Sequence, residues 1–199
     1  NVNVFYRSTL TLGADLSVAA VNGPTAVVLS GCASAVDRVS AVCERLGIRT
    51  RRVPVDYASH SASVDDLEGR LRDALRDVSA ADPHLPFYST VTASPIVPGV
   101  DTLDNGYWFT NLRSTVRFAD TIQRLLADGY STFVEVSAHP VLTASVQHTA
   151  EVTGVTPVVT GTLRRGEPAW QRLLLSAAQL WASGVAVDFA PAVAGGART

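Results

Sequence analysis

The stretch LSVAAVNGPTAVVLSG, from Leu16 to Gly31, decides the fold of the first part of this chain. Two apolar runs, Leu16 to Val21 and Thr25 to Ser30, flank Asn22-Gly23-Pro24. Apolar runs on either side of an Asn-Gly dipeptide predict a β-hairpin, because Asn and Gly tolerate the positive φ angles of tight turns. We therefore expect two antiparallel strands joined at this turn.

A helix and a further strand follow the hairpin. Apolar residues recur at helical spacing from Ala35 to Leu46, with Ser34 placed to cap the helix and Gly47 to end it. Ile48 to Val55 then predicts a strand. Strand, strand, helix, strand is most of a ferredoxin-like unit, whose opening strand and helix are missing or replaced by residues 1–14.

Helices and strands alternate through the rest of the chain. The first predicted helix is capped by Ser63 and runs to about Val78. The other predicted helices are Tyr107 to Leu112, Thr115 to Ala127, Pro140 to about Thr149, and Pro168 to Ser183. The predicted strands are Phe87 to Val91, a buried strand from Ser131 to Val136, and Val155 to Thr160. This alternation predicts the α/β class. The Ala/Gly-rich tail from Pro191 is expected to be loose.

Composition excludes several classes of protein. The chain has 199 residues, of which 47% are hydrophobic, so it can bury a core. Its net charge of −2 argues against a nucleic-acid partner. No apolar run reaches the ~18 residues of a membrane span, and a cytoplasmic protein is expected. Met is absent, so the chain is expected to be a piece of a longer polypeptide.

The four histidines are the candidates for proton transfer. None pairs at a metal-ligand spacing, so no metal site is expected. His84 lies between prolines and His148 on a polar helix face, and both are expected to be solvated. His139 ends a strand, where it can cap the chain or line a site. His60 lies at a strand-to-helix junction and is the candidate general base.

A general base needs a nucleophile to activate. The chain has no GxSxG elbow, and the nearest match, Gly129 to Phe133, lacks the second glycine. Ser59 and Ser61 adjoin His60, but adjacent side chains on an extended segment point apart. On the residues alone, His60 stays open between a general base and a structural or solvated histidine.

Six motifs then occur in order along the chain. They are VAAVNGPTAVVLSG (Val18 to Gly31), RRVPVDYASHSASVD (Arg51 to Asp65), PFYSTVT (Pro86 to Thr92), YWFTNLRSTVRF (Tyr107 to Phe118), FVEVSAHPVLTASV (Phe133 to Val146) and GTLRRGEPAWQRLL (Gly161 to Leu174). Together they resemble the acyltransferase domain of modular type I polyketide synthases, over roughly residues 16–190.

The resemblance implies an α/β fold in four segments. Residues 1–15 match nothing in the family. Residues 16–55 resemble part of the ferredoxin-like small subdomain. Residues 56–165 resemble the C-terminal part of the hydrolase-like large subdomain, a parallel sheet with flanking helices. Residues 166–199 resemble the C-terminal helix and the linker that follows the domain.

The resemblance also implies a Ser/His ping-pong mechanism. In the family, a serine of a GHSxG elbow attacks an acyl-CoA thioester, a histidine takes its proton, and the acyl group passes to the phosphopantetheine of an acyl carrier protein. His60 aligns with that histidine, and Asn111 is expected to supply the main-chain carbonyl that pins it. The serine has no counterpart here. It is expected upstream of this chain, and the fragment by itself is expected to be inactive.

The substrate expectation comes from Tyr57, Ala58 and Ser59, which precede His60. YASH resembles the methylmalonyl-selective members of the family, whereas malonyl-selective members tend to carry HAFH. Ser59 in place of a bulky Phe leaves room for an α-methyl branch. The expected substrate is methylmalonyl-CoA, with no cofactor. The expected partners are the acyl carrier protein and neighbouring synthase domains such as the ketosynthase.

Three other interpretations stay open. The first is a non-catalytic docking module for a carrier protein or a neighbouring domain. The second is a stand-alone hydrolase that uses Ser59 or Ser131. The third is a structural fragment that folds poorly, because it leaves Phe133 to Val136 and Val155 to Thr160 uncovered and parallel strands are normally buried on both faces.

Overall fold

A computed structural model describes residues 2–4 and 15–194, with helices and strands alternating in the predicted α/β class. The strands are β1 (Val2–Val4), β2 (Leu16–Gly23), β3 (Ala26–Gly31), β4 (Thr50–Arg52), β5 (Tyr88–Ser89), β6 (Ser94–Pro95), β7 (Thr132–Glu135) and β8 (Val158–Gly161). The helices are α1 (Ala33–Arg45), α2 (Glu68–Ala74), α3 (Asn105–Arg113), α4 (Phe118–Ala127), α5 (Thr143–Thr153), α6 (Ala169–Ala182) and α7 (Ala190–Ala194), and a 3₁₀ helix spans Ala62–Leu67. They form two compact units that divide between Asp128 and Gly129.

An antiparallel sheet in the order β2-β3-β1-β4 organises the first unit. Val2 pairs with Leu29 of β3 on one side and with Arg52 of β4 on the other. The segment that sequence analysis left unmatched therefore supplies a central strand. Residues 5–14, where the missing helix would fall, lie outside the described residues. This strand, Val-Asn-Val, is only three residues long, which is too short to carry a recognisable strand pattern.

The hairpin is confirmed, but its turn lies later than predicted. Gly23 pairs with Ala26, so Pro24 and Thr25 form the turn. Proline fixes φ near −65° and suits the first central position of a tight turn. The register shifts between Val21 and Gly23, so the Asn-Gly pair lies at a strand irregularity instead of at the turn.

Helix α1 covers this sheet. Leu29, Val36, Val39 and Cys43 form the buried cluster between them. The helix begins at Ala33 after Cys32, so the prediction that Ser34 caps it is wrong. Gly47 follows the C-cap residue Leu46 and adopts a φ of 68°, as predicted for the end of the helix.

Strand β4 and the helix after His60 are shorter than predicted. β4 covers only Thr50–Arg52, because its partner β1 is itself three residues long. The helix expected from Ser63 is divided into the 3₁₀ helix Ala62–Leu67 and α2. Its cap is Ser61, whose hydroxyl accepts a hydrogen bond from the N–H of Ser63. The predicted cap at Ser63 is therefore wrong.

The second unit is built on two parallel strands, with Thr132 opposite Val158 and Glu135 opposite Gly161. Helices α5 and α6 both pack against β8. The prediction that β7 is buried is wrong, because Val134 is 41% exposed. Val136, directly after β7, is 84% exposed, whereas Val159 in β8 is buried.

The ends of the second unit's helices also differ from the predictions. Helix α5 begins at Thr143 instead of Pro140. Pro191 lies in the short helix α7, not in a loose tail, and residues 195–199 lie outside the described part of the chain. Within residues 2–4 and 15–194, no helix has the length and apolar character to cross a membrane.

Candidate active site

A left-handed turn places His60 at the end of the extended segment that follows β4. His60 has a φ of 57°, a conformation that costs most residues roughly 1–2 kcal/mol. Its backbone N–H donates to the carbonyl of Leu112 at 2.8 Å. Conformations of this kind persist only where the surroundings hold them, and they concentrate at functional sites.

The imidazole of His60 is pinned by a main-chain carbonyl. Nδ1 lies 2.8 Å from the carbonyl oxygen of Ser114. A carbonyl can only accept, so Nδ1 carries the proton and Nε2 of the neutral ring presents its lone pair. This is the tautomer that a general base acting through Nε2 requires.

The pinning carbonyl belongs to Ser114, not to Asn111 as the resemblance led us to expect. Asn111 lies inside helix α3, where carbonyls point along the helix axis. Ser114 follows the last helical residue with a φ of −85° and a ψ of 158°, so its carbonyl turns away from that axis. The prediction found the right segment and the wrong residue.

The sheet of the first unit fixes the chain directly after Ser114. The hydroxyl of Thr115 donates to the carbonyl of Val18 at 2.7 Å. Val116 donates its N–H to Ala19 and accepts from the N–H of Val21, both at 2.9 Å. The hairpin that decides the fold therefore anchors the carbonyl that orients His60.

The segment Tyr57-Ala58-Ser59 leads into the histidine turn. Tyr57 is 62% exposed and borders an open groove along residues 52–57, while Ser59 is half-buried. The carbonyl of Ala58 accepts from the hydroxyl of Ser61 at 2.6 Å. Ser61 is 2% exposed, and its bond to the Ala58 carbonyl is partly buried.

Sequence analysis missed the role of Ser61, which it weighed only as a partner for His60. The hydroxyl of Ser61 joins the residues before the histidine to the 3₁₀ helix after it. A serine directly before a helical segment is a capping signal that would have found it.

The other histidines lie outside this arrangement. His84 is exposed in a loop of the first unit, and His148 is half-buried on α5. His139 accepts a hydrogen bond through Nδ1 from the N–H of Arg165 at 3.2 Å. His139 thus caps a loop of the second unit, one of the two roles expected of it.

Glu135 is a structural residue that sequence analysis did not single out. Its carboxylate accepts from the backbone N–H groups of Val141, Leu142 and Thr143 at 2.8, 2.9 and 3.0 Å, and from the Ser137 hydroxyl at 3.0 Å. Partial burial on its own raises the pKa of this carboxyl, but the four donors outweigh it and hold the pKa below its ordinary value. No local sequence signal marks this role, because helix starts favour acidic residues within the first turn and Glu135 lies eight positions before Thr143.

A family comparison gives this geometry its context. The family model for the acyl transferase domain matches residues 6–187, and so begins inside the segment 1–15. The chain belongs to the acyl transferase domain family. Membership of this family favours acyl transfer over the docking-module interpretation.

Polyketide synthase components are among the proteins similar in sequence to this chain. The pikromycin polyketide synthase component PikAIII of Streptomyces venezuelae is 46% identical over 176 residues, which is 88% of the chain and 11% of that protein. The spectinabilin polyketide synthase system protein NorA of Streptomyces orinoci is 49% identical over 175 residues, 87% of the chain and 9% of that protein. The chain therefore spans about a tenth of these relatives.

Two solved acyltransferase structures share the fold of this acyl transferase domain chain. The acyltransferase domain from module 8 of the salinomycin polyketide synthase superposes with a TM-score of 0.89 at 44% identity, covering 94% of the chain and 45% of that structure. The loading acyltransferase of the avermectin synthase gives 0.83 at 37% identity, covering 90% and 58%. The chain thus corresponds to about half of a solved acyltransferase domain.

Proposed function

We propose that this chain is the part of a polyketide synthase acyltransferase domain that carries the general base. The complete domain would load methylmalonyl from methylmalonyl-CoA onto the phosphopantetheine of an acyl carrier protein. One observation carries the proposal: Nδ1 of His60 is bonded to the Ser114 carbonyl, which leaves Nε2 as the proton acceptor. The similarity to polyketide synthase components supports the reaction class.

In the proposed first half-reaction, Nε2 of His60 takes the proton from a serine hydroxyl as its oxygen attacks the thioester carbonyl. The tetrahedral intermediate collapses to an acyl-serine ester, and the departing coenzyme A sulfur takes the proton from the imidazolium. In the second half-reaction, Nε2 takes the proton of the phosphopantetheine thiol, whose sulfur attacks the ester. The serine oxygen leaves and regains the proton.

The nucleophilic serine of this proposal lies upstream of residue 1 in the parent polypeptide. The Ser114 carbonyl accepts a hydrogen bond from Nδ1–H in both half-reactions, and the proton stays on Nδ1, so Nε2 is always the atom that exchanges a proton. The chain on its own would hold a base without a nucleophile. The hydrolase interpretation with Ser59 or Ser131 as nucleophile is not needed by this mechanism.

The finer assignments belong to the same proposal. The sheet order β2-β3-β1-β4 with α1 on one face fits a ferredoxin-like small subdomain whose opening strand is β1. The parallel pair of β7 and β8 fits an outer part of the hydrolase-like sheet. The small side chain of Ser59 supports a pocket that admits an α-methyl group, and Tyr57 and Ala58 complete the segment that would select it.

Intact-mass spectrometry tests the proposal. The parent polypeptide, with its upstream segment, is incubated with methylmalonyl-CoA, and the 199-residue chain is treated in parallel. We expect one methylmalonyl adduct on the parent, transfer of that adduct to an added acyl carrier protein, and no adduct on the chain. A parent that binds the carrier protein without ever becoming acylated would instead support a docking module.

A further inference from the structure

Three consecutive residues of one segment each make a bond to the histidine segment. Leu112 accepts from the backbone N–H of His60, and Ser114 accepts from its ring. Between them, the guanidinium of Arg113 pairs with the carboxylate of Asp65. Arg113 and Asp65 touch neither nitrogen of the imidazole, so they have no direct part in proton transfer.

We propose that the Asp65–Arg113 ion pair is a positioning pair for His60, an inference that rests on the proposed function. Arg113 is the last residue of α3, and Ser114 and Thr115 follow it into contact with β2. The sheet therefore fixes the segment that carries Arg113 and Ser114. Asp65 belongs to the 3₁₀ helix, which begins two residues after His60. The ion pair ties the histidine segment to the fixed side.

The length of the Nδ1 bond makes this tie important. The bond between Nδ1 and the Ser114 carbonyl is 2.8 Å, and a displacement of about 1 Å would take it beyond hydrogen-bonding range. His60 also occupies a left-handed conformation that relaxes readily if its contacts loosen. Ser61 holds the segment internally through Ala58 and Ser63, but neither bond reaches α3. Among the hydrogen bonds and ion pairs of the described residues, only those of residues 60 and 65 join the histidine segment to residues 112–114.

The exposure of the pair separates positioning from stability. The two side chains are 37% and 54% exposed, and ion pairs in such settings add little to the free energy of unfolding. If the pair does not position His60, its removal should therefore leave both the melting temperature and the rate of acylation nearly unchanged. A positioning role would lower the rate while leaving the melting temperature nearly unchanged.

The kinetic test uses the parent polypeptide and its acylation by methylmalonyl-CoA. We expect Asp65→Asn and Arg113→Gln each to lower kcat about tenfold, with KM changed less than about twofold, because a misplaced base slows chemistry more than binding. The charge swap Asp65→Arg with Arg113→Asp should recover kcat to within about threefold. Asp37→Asn, which breaks the exposed Arg52–Asp37 pair of the same unit, is the matched control and should keep full kcat.

A spectroscopic test does not depend on activity. Nitrogen-15 shifts of the His60 ring in the 199-residue chain report which nitrogen carries the proton. We expect the Nδ1–H tautomer to dominate in the unmodified chain and in Asp37→Asn, and a mixture of tautomers in Asp65→Asn. If the unmodified parent transfers no acyl group, the proposed function fails while this measurement still judges the pair. Two results would overturn the inference. One is a set of His60 ring nitrogen-15 shifts in Asp65→Asn equal to those of the unmodified chain, and the other is a charge-swap variant whose kcat is as low as that of the single variants.

Discussion

Nδ1 of His60 and the carbonyl oxygen of Ser114 lie 2.8 Å apart, although 54 residues separate them in the sequence. The bond determines which ring nitrogen is protonated, and therefore which one can accept a proton. Two local structures create it: a left-handed turn at residue 60 and the end of helix α3. The chemical orientation of the base is thus a property of the contact between these two segments.

Replacement of the base itself gives the first prediction. We expect His60→Asn in the parent polypeptide to lower the rate of acylation about 10²–10⁴-fold, the usual contribution of a general base. Asn tolerates left-handed φ angles, so the turn at residue 60 should survive the change. Stopped-flow release of coenzyme A measures the rate. His84→Asn, at an exposed loop histidine, is the matched control, and equal rates in the two variants would contradict the role of His60.

The extender preference gives the second prediction, which depends on the proposed function. We expect Ser59→Phe to shift the preference of the parent domain from methylmalonyl-CoA toward malonyl-CoA by about 10- to 100-fold, since one methyl group in a pocket is worth ~1–3 kcal/mol. Competition between the two thioesters, read by intact mass, measures the ratio of kcat/KM values. Tyr57→Phe, which changes a hydroxyl and not the bulk, is the comparison variant. An unchanged ratio in Ser59→Phe would show that residue 59 does not shape the pocket.

The two serines on either side of Ala62 give the third prediction. Ser61→Ala removes the bonds that this buried serine makes to the Ala58 carbonyl and the Ser63 N–H, and should destabilise the first unit by about 1–2 kcal/mol. Ser63→Ala should change its free energy of unfolding by less than about 0.5 kcal/mol, because only the backbone of Ser63 takes part in the cap. Urea denaturation, monitored through amide hydrogen exchange in the first unit, measures the free energy of unfolding of both variants. The reverse order of effects would restore Ser63 as the cap.

The Glu135 carboxylate gives the fourth prediction. Its pKa is lower in the folded chain than its ordinary value of 4.5, so its ionised form contributes stability in full above that pH. The contribution is lost as the pH falls from about 4.5 through the folded-state pKa, where both states become protonated. We expect Glu135→Gln to speed amide exchange at Val141, Leu142 and Thr143 at pH 7, where it loses charge-assisted hydrogen bonds.

Acidification supplies the internal control for this prediction. The difference in exchange protection between the unmodified chain and Glu135→Gln should narrow as the pH falls below about 4.5, because the variant has no carboxyl to protonate there. Glu167→Gln, at a carboxylate that pairs only with side chains of its own unit in the described residues, should leave exchange at residues 141–143 unchanged. A protection difference that is constant from pH 7 to pH 3 would show that the charge of Glu135 has no role.

Sequence patterns predicted the helices and strands that are determined by residues close together in the chain. The hairpin, α1 and the helix over residues 169–182 were all found, because periodicity and turn residues record them directly. β1 was not found, since three residues carry too little pattern and their strand conformation depends on β3 and β4. The sequence predicts the strand at Thr132–Glu135 but wrongly as a buried strand, because apolar composition does not reveal which neighbours cover a strand.

Some features of the candidate site could likewise be predicted from the sequence, whereas others depend on the fold. Residue types and their order were enough to predict the α/β class, the resemblance to an acyltransferase domain, and His60 as the candidate base. Tertiary structure alone decided that the Ser114 carbonyl, and not that of Asn111, holds the imidazole, and that Asp65 meets Arg113. Those contacts join segments about 50 residues apart, and a carbonyl is the same in every residue, so only the fold can determine which one reaches the ring.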